Sequence, residues 1–144
     1  MKILVPVDGS KYSMEALKVA LDYAGTKGAD INVISVASDA SGVDLEVSAG
    51  ERERIGQRML QRADSVVKEA CEAVSKAGVK ADCKVISTSS SVADAILAVA
   101  EESRTDLIVM GSRGLSPSSR FKMGSVASQV VKYSDCSVYV VKLP

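Results

Sequence analysis

Residues 106–125 read DLIVMGSRGLSPSSRFKMGS, and this stretch decides the fold. The run Leu107 to Met110 is apolar and short, which predicts a buried strand. It leads into Gly111, two residues, Gly114, nine residues, and then Gly124-Ser125. A helix is predicted from about Ser125 to Tyr133. A glycine-punctuated loop between a strand and a helix N-terminus is a place to hold an anion. Backbone N–H groups point inward there, and the helix dipole favours negative charge.

The same alternation extends in both directions. Lys2 to Val7 is an Ile/Val-rich strand that ends in Asp8-Gly9-Ser10. Ser10 and Ser13 can cap the helix that follows. Ala16, Leu17, Ala20, Leu21 and Ala24 recur at helical spacing, with Gly25 or Gly28 as the stop. Ile31 to Val36 is a second strand, and Ser38 to Gly50 a polar loop. A long helix runs from about Glu51 to Lys76, with the stripe Ile55, Met59, Ala63, Val66, Ala70, Val74 and Ala77 and a stop at Gly78. Val79 to Ser87 is a third strand. Ser91 and Asp94 resemble a capping box for a third helix, whose face is Val92, Ala95, Ile96, Val99 and Ala100. Val138 to Val141 is the fifth strand.

The order β-α-β-α-β-α-β-α-β predicts an α/β fold, a parallel sheet covered by helices on both faces. Ligands of such sheets bind beyond the C-terminal strand ends, where the strand order reverses. Strand one ends at Asp8 and strand four at the glycine loop, so neighbouring positions would bring both to one crevice. The 144-residue length predicts one domain, 1–144, with no internal repeat.

Composition removes several function classes. Lysine plus arginine and aspartate plus glutamate are each 18, so no global basic field draws in duplex nucleic acid or an anionic membrane. Aromatics are 3%, too few for a base-stacking surface. Histidine is absent, which excludes the usual His/Cys zinc sites and any Ser-His or Cys-His dyad within the chain. Cys71, Cys83 and Cys136 are widely spaced and read as free, buried small hydrophobes in a reducing cytosol. No apolar run approaches the ~18 residues of a membrane span. The expectation is a soluble, cytoplasmic protein.

Within the loop, Gly111 and Gly114 let the backbone turn tightly and approach a ligand. Gly124 does the same before the helix, and Ser125 offers a hydroxyl. Arg113, Arg120 and Lys122 bring cations to the same place, which suits a triphosphate. There is no GxxxxGK[ST] and no GxGxxG after strand one, so neither the Walker loop nor the dinucleotide fingerprint is present. Asp8 has two readings, a cap for the first helix or an acceptor facing a ligand.

These residues resemble the universal stress protein family over almost the whole chain. ILVPVDGSKYSMEAL resembles the family's first strand and turn, DLIVMGSRG its fourth strand, and GSVASQVVKYSDCSVYVVK its end. The GSRG-nine-residue-GS spacing resembles the nucleotide-binding branch. The resemblance implies a three-layer α/β/α sandwich, Rossmann-like and similar to the adenine-nucleotide alpha-hydrolase group, with parallel strands in the order 3-2-1-4-5. It implies an ATP site in which Pro6, Val7 and Asp8 meet the adenosine, with Asp8 accepting from the ribose or assisting a metal. Val36 would wall the adenine, and Met110 and Gly111 would line base and ribose. Gly114, Gly124, Ser125 and Val126 would hold phosphates, with charge from Arg113 and Arg120. Mg²⁺ or Mn²⁺ would bridge the phosphates. The chain departs from the family at Ser35, where many members carry His, and at the serine run Ser87 to Ser91, where a Gly-Asp-Pro turn is usual.

The expected function is an ATP-binding stress-response switch or sensor, with AMP or cyclic AMP as other candidate nucleotides. No strong general base is evident, so no catalytic residue is assigned and hydrolysis is at most slow. A weak ATPase and a nucleotide-independent dimeric module are the alternatives. Ser137 to Val141 would be an apolar sheet edge, which predicts a homodimer through it.

Overall fold

The computed structural model describes residues 1–39, 47–115 and 123–144. Its elements are β1 (Lys2–Pro6), α1 (Lys11–Lys27), β2 (Asp30–Ser38), α2 (Ala49–Lys76), β3 (Ala81–Thr88), α3 (Val92–Glu102), β4 (Leu107–Gly111), α4 (Ser125–Tyr133) and β5 (Ser137–Val141). The strands form one parallel sheet in the order β3-β2-β1-β4-β5. The chain builds outward from β1 to β3, then crosses back to place β4 on the free side of β1. Leu4 pairs with Ile108 across that junction. Strand order reverses there, which opens a crevice beyond the C-terminal ends of β1 and β4.

Strand pleating sends alternate side chains to opposite faces. Ile3, Val5, Ile31, Val33 and Val109 pack with α1 and α2 on one face. Leu4, Ile34, Ile108 and Met110 pack with α3 and α4 on the other. The sheet is thus the middle of three layers, and both faces are dry enough to explain why the strands read as continuous apolar runs.

Local chemistry sets the helix ends. Ser10, Ser48 and Ser91 each stand at an N-cap and accept from an amide three residues on, those of Ser13, Glu51 and Asp94. Gly28 stops α1 in the left-handed conformation at φ 66°, which glycine adopts without a Cβ clash. Ser13 has a second use, its hydroxyl accepting from the Asp8 N–H at 3.2 Å.

Two sequence expectations change. The buried face of α2 is Ala63, Val67, Ala70 and Val74. Val66 lies at the edge of that face, Met59 is exposed, and Ala77 is the C-cap. The cysteines are not three free buried thiols. Cys71 on α2 and Cys83 on β3 form a disulfide, with Cα atoms 6.2 Å apart, and only Cys136 is free. Packing of a helix on its neighbouring strand brings together residues that lie apart along the chain. No helix among the described residues is long and apolar enough to cross a membrane.

Candidate functional site

A cavity of about 530 Å³ opens beyond the C-terminal ends of the strands. That volume lies within the range of small-molecule sites. Pro6, Val7, Asp8, Val36, Met110, Gly111, Arg113, Gly114, Gly124, Ser125 and Val126 all line it. Arg120 and Lys122 lie outside the described residues. The sheet brings the end of β1 and the loop after β4 to one place because β1 and β4 are neighbours.

The two sides of the cavity differ in chemistry. Toward β2 and α3 the wall is apolar, with Val36, Val92 and Ile96. Toward β4 and α4 it is polar, with Ser112, Arg113 and Ser125. Asp8 sits between them. Its Oδ1 accepts from the Ser10 N–H at 2.9 Å. Its Oδ2 points toward Gly114, where a Cβ would come within 2.7 Å of it. Asp8 does not cap α1, whose N-cap is Ser10. One oxygen holds the turn into α1, and the other borders the cavity.

Two of the three motif glycines have distinct physical reasons, and the third has neither. Gly111 is the last residue of β4, and a Cβ there would lie 2.7 Å from the Tyr12 Cβ and 2.8 Å from the Tyr12 carbonyl carbon. Its role is close packing of α1 on the strand, a correction to its reading as a turn residue. Gly114 leaves room for the Asp8 carboxylate. Gly124 has ordinary space, with Ser112 O 3.5 Å from a Cβ built there. It needs no positive φ either, at −74°.

Gly124 is the N-cap of α4, and no side chain caps that helix. Its own N–H donates to Ser112 O at 2.7 Å, so it is not a free anion donor as its sequence reading had it. The first amide to bond within α4 is that of Ser128, to Gly124 O at 3.0 Å. The N–H groups of Ser125, Val126 and Ala127 have no acceptor among the described residues. All three residues line the cavity. Ser112 fixes this corner, since its N–H also donates to Val141 O at 2.8 Å. The helix dipole and these donors make the polar side a seat for an anion.

Sequence reasoning missed Ser13, Val92, Ile96, Ser112, Leu115, Met123 and Ala127 as lining residues. Ala127 was within reach, because the first amides of any helix lack internal acceptors. Val92 and Ile96 carried only the signal of a helix core face.

An open parallel α/β sheet with a cavity at its reversal point defines a doubly wound α/β protein with its cleft at the switch point. Residues 1–142 match the model of the Universal stress protein family, and the chain belongs to that family. It is 34% identical to a universal stress protein of Methanocaldococcus jannaschii over 99% of this chain and 82% of that one. It is 31% identical to universal stress protein YxiE of Bacillus subtilis over 98% of each. Among solved structures, a universal stress protein family member from Burkholderia pseudomallei superposes with a TM-score of 0.80 at 22% identity, covering 99% of this chain and 96% of that one. The Archaeoglobus fulgidus universal stress protein in complex with dAMP gives 0.73 at 22%, covering 99% and 98%. A family protein from Arabidopsis thaliana with AMP bound gives 0.71 at 20%, covering 100% and 92%.

Proposed function

We propose that this chain binds ATP, or another adenine nucleotide, and serves as a nucleotide-dependent switch or sensor in a stress response. One observation carries the reading. The N-terminus of α4 brings to the cavity three amides that have no acceptor among the described residues, and the wall toward β2 and α3 is apolar. A nucleotide has a flat, weakly polar base at one end and an anion at the other. The dAMP and AMP complexes of the two structural neighbours support that match.

In this reading the base lies against Val36, with Pro6, Val7, Met110 and Gly111 lining the adenosine. The Asp8 Oδ2 accepts from a ribose hydroxyl across Gly114. The amides of Ser125, Val126 and Ala127 and the Ser125 hydroxyl hold phosphate, and Arg113 and Arg120 supply positive charge. Asp8 is the one carboxylate on the cavity wall among the described residues. Mg²⁺ or Mn²⁺ would therefore take most of its oxygens from phosphate and water. With Asp8 at the ribose, no side chain on that wall stands as a strong general base, so hydrolysis is slow at most.

The same reading includes a homodimer through β5. This edge strand contains no charged residue, Tyr139 on it is 47% exposed, and Tyr133 nearby is 63% exposed. An apolar open edge pairs readily. Tyr139→Lys is expected to shift the dimer to monomer in sedimentation equilibrium, and an unchanged mass would refute the interface. The direct test of binding is calorimetric titration with ATP and with AMP, with and without Mg²⁺. Saturable heat is expected, and none at millimolar nucleotide would end the proposal.

A further inference from the structure

The Cys71–Cys83 bond joins the C-terminal part of α2 to the edge strand β3. β3 pairs only with β2, so one side of its backbone ladder is open. On one face β3 rests on α2, with Ala81, Cys83 and Val85 packed against that core. On the other face Asp82 and Lys84 are exposed. The strand thus has a helix on a single face along this stretch, and the disulfide is its covalent tie to that helix. The Cα separation of 6.2 Å lies inside the range a disulfide spans without backbone movement. Both cysteines are half-buried rather than sealed in the core.

No residue of α2 or β3 lines the cavity. The tie therefore acts on elements outside the cavity lining, and β4, which carries the glycine loop, stands three strands from β3 in the sheet. We infer that Cys71 and Cys83 are a redox-responsive dithiol pair, with low-molecular-weight disulfides as co-reactant, that sets the stability of the α2–β3 side independently of the cleft. In the forward direction one thiolate of the pair attacks a sulfur of glutathione disulfide, releases one glutathione and forms a mixed disulfide. The second cysteine then attacks the protein-bound sulfur and releases the other glutathione. Two protein thiols are oxidised, one glutathione disulfide is reduced to two thiols, and the two protons end on those thiols. Excess glutathione runs the exchange backward.

The bond closes a loop with a sequence separation of 12. Closing a loop of that size constrains the unfolded chain, so reduction is expected to lower the melting temperature by about 10 °C. The test equilibrates the full chain in graded mixtures of reduced and oxidised glutathione. Thiols are then counted by maleimide mass shift after acid quench and unfolding. The oxidised protein should take one label, on Cys136, and the reduced protein three. Hydrogen exchange should show α2 and β3 losing protection on reduction while β4 and α4 keep theirs. Cys71→Ser and Cys83→Ser should each melt like the reduced wild type in the same buffer. Three labels throughout the oxidising range would overturn the pair, as would an unchanged melting temperature. Equal loss of protection in β4 and α4 would overturn the independence from the cleft. These readouts need no nucleotide, so they stand or fall apart from the proposed binding.

Discussion

Among the described residues, three helix N-termini carry a serine cap, and one does not. Ser10, Ser48 and Ser91 accept from backbone amides at 3.2, 3.2 and 3.1 Å. Gly124 offers α4 nothing. The chain thus satisfies orphan amides with a serine at the starts of α1, α2 and α3. It omits that solution at α4, whose first three residues all line the large cavity. Gly124 is not forced by backbone or by space, since its φ is ordinary and a Cβ would meet nothing closer than 3.5 Å. An uncapped terminus costs stability, and the natural compensation is a ligand that takes the place of the cap.

The largest predicted effect separates this glycine from its motif partner. Gly111→Ala would push a methyl into the backbone of Tyr12, which cannot swing aside as a side-chain tip can. Overpacking of this kind costs about 2–3 kcal/mol. The melting temperature should fall by several degrees whether or not nucleotide is present. If Gly111→Ala melts like the wild type, the motif has no packing component and the contrast with Gly124 disappears.

Gly124→Ser should do the reverse. It brings α4 into line with the other three helices, because a serine there can accept from the Val126 or Ala127 amide. It also restricts the unfolded chain. Both effects stabilise the free protein, by about 0.5–1 kcal/mol together. The same hydroxyl occupies a donor the phosphate needs and stands in its path. Nucleotide affinity should drop about tenfold, or about 1.4 kcal/mol. Opposite signs in melting and in calorimetry are the signature, and weakened binding with a lowered melting temperature would point to simple damage.

The contrast between capped and bare ends was only half legible in the sequence. Apolar runs and helical stripes announced every element, because the inner strands β1, β2 and β4 are buried on both faces, the edge strands β3 and β5 alternate, and each helix is buried on one face. Serine caps announced two helix starts, those of α1 and α3, while Ser48, the cap of α2, lies in the stretch that reads as a loop. The glycine motif and Asp8 could be assigned to one crevice, since the family resemblance implies a strand order that makes β1 and β4 neighbours. What Gly111 packs against could not be read, because the clash is with Tyr12, a hundred residues away in the chain. The commitment of the Gly124 N–H to Ser112 is also a product of how the loop closes. The Cys71–Cys83 bond depends on how α2 lies across β3, and no spacing rule covers it. The α2 stripe named Val66 where Val67 is buried, a one-residue rotation that a long helix with few large apolar residues does not specify.

A smaller effect is expected at Gly114. A Cβ there would meet only the tip of the Asp8 side chain, which can rotate away. Gly114→Ala should therefore leave the fold within about 1 kcal/mol of wild type. Displacing Oδ2 removes one hydrogen bond to the ribose, worth about 0.5–1.5 kcal/mol. Affinity should fall about fivefold for ATP and much less for a 2′,3′-dideoxy analogue. Equal losses for both would remove Asp8 from the ribose.

The smallest effect belongs to a capped end. Ser48→Ala strips the acceptor from the Glu51 amide at the start of α2. The site is exposed, so water can replace the lost partner and the cost should sit near the low end for a cap, about 0.5–1 kcal/mol. Nucleotide affinity should not change measurably, because neither Ser48 nor any residue of α2 lines the cavity. This variant asks whether helix-end stability as such is felt at the cleft. If Ser48→Ala weakened binding as much as Gly124→Ser, the loss in the latter could not be assigned to the α4 amides. A normal titration from a slightly less stable protein would leave those amides as the distinguishing feature of the bare end.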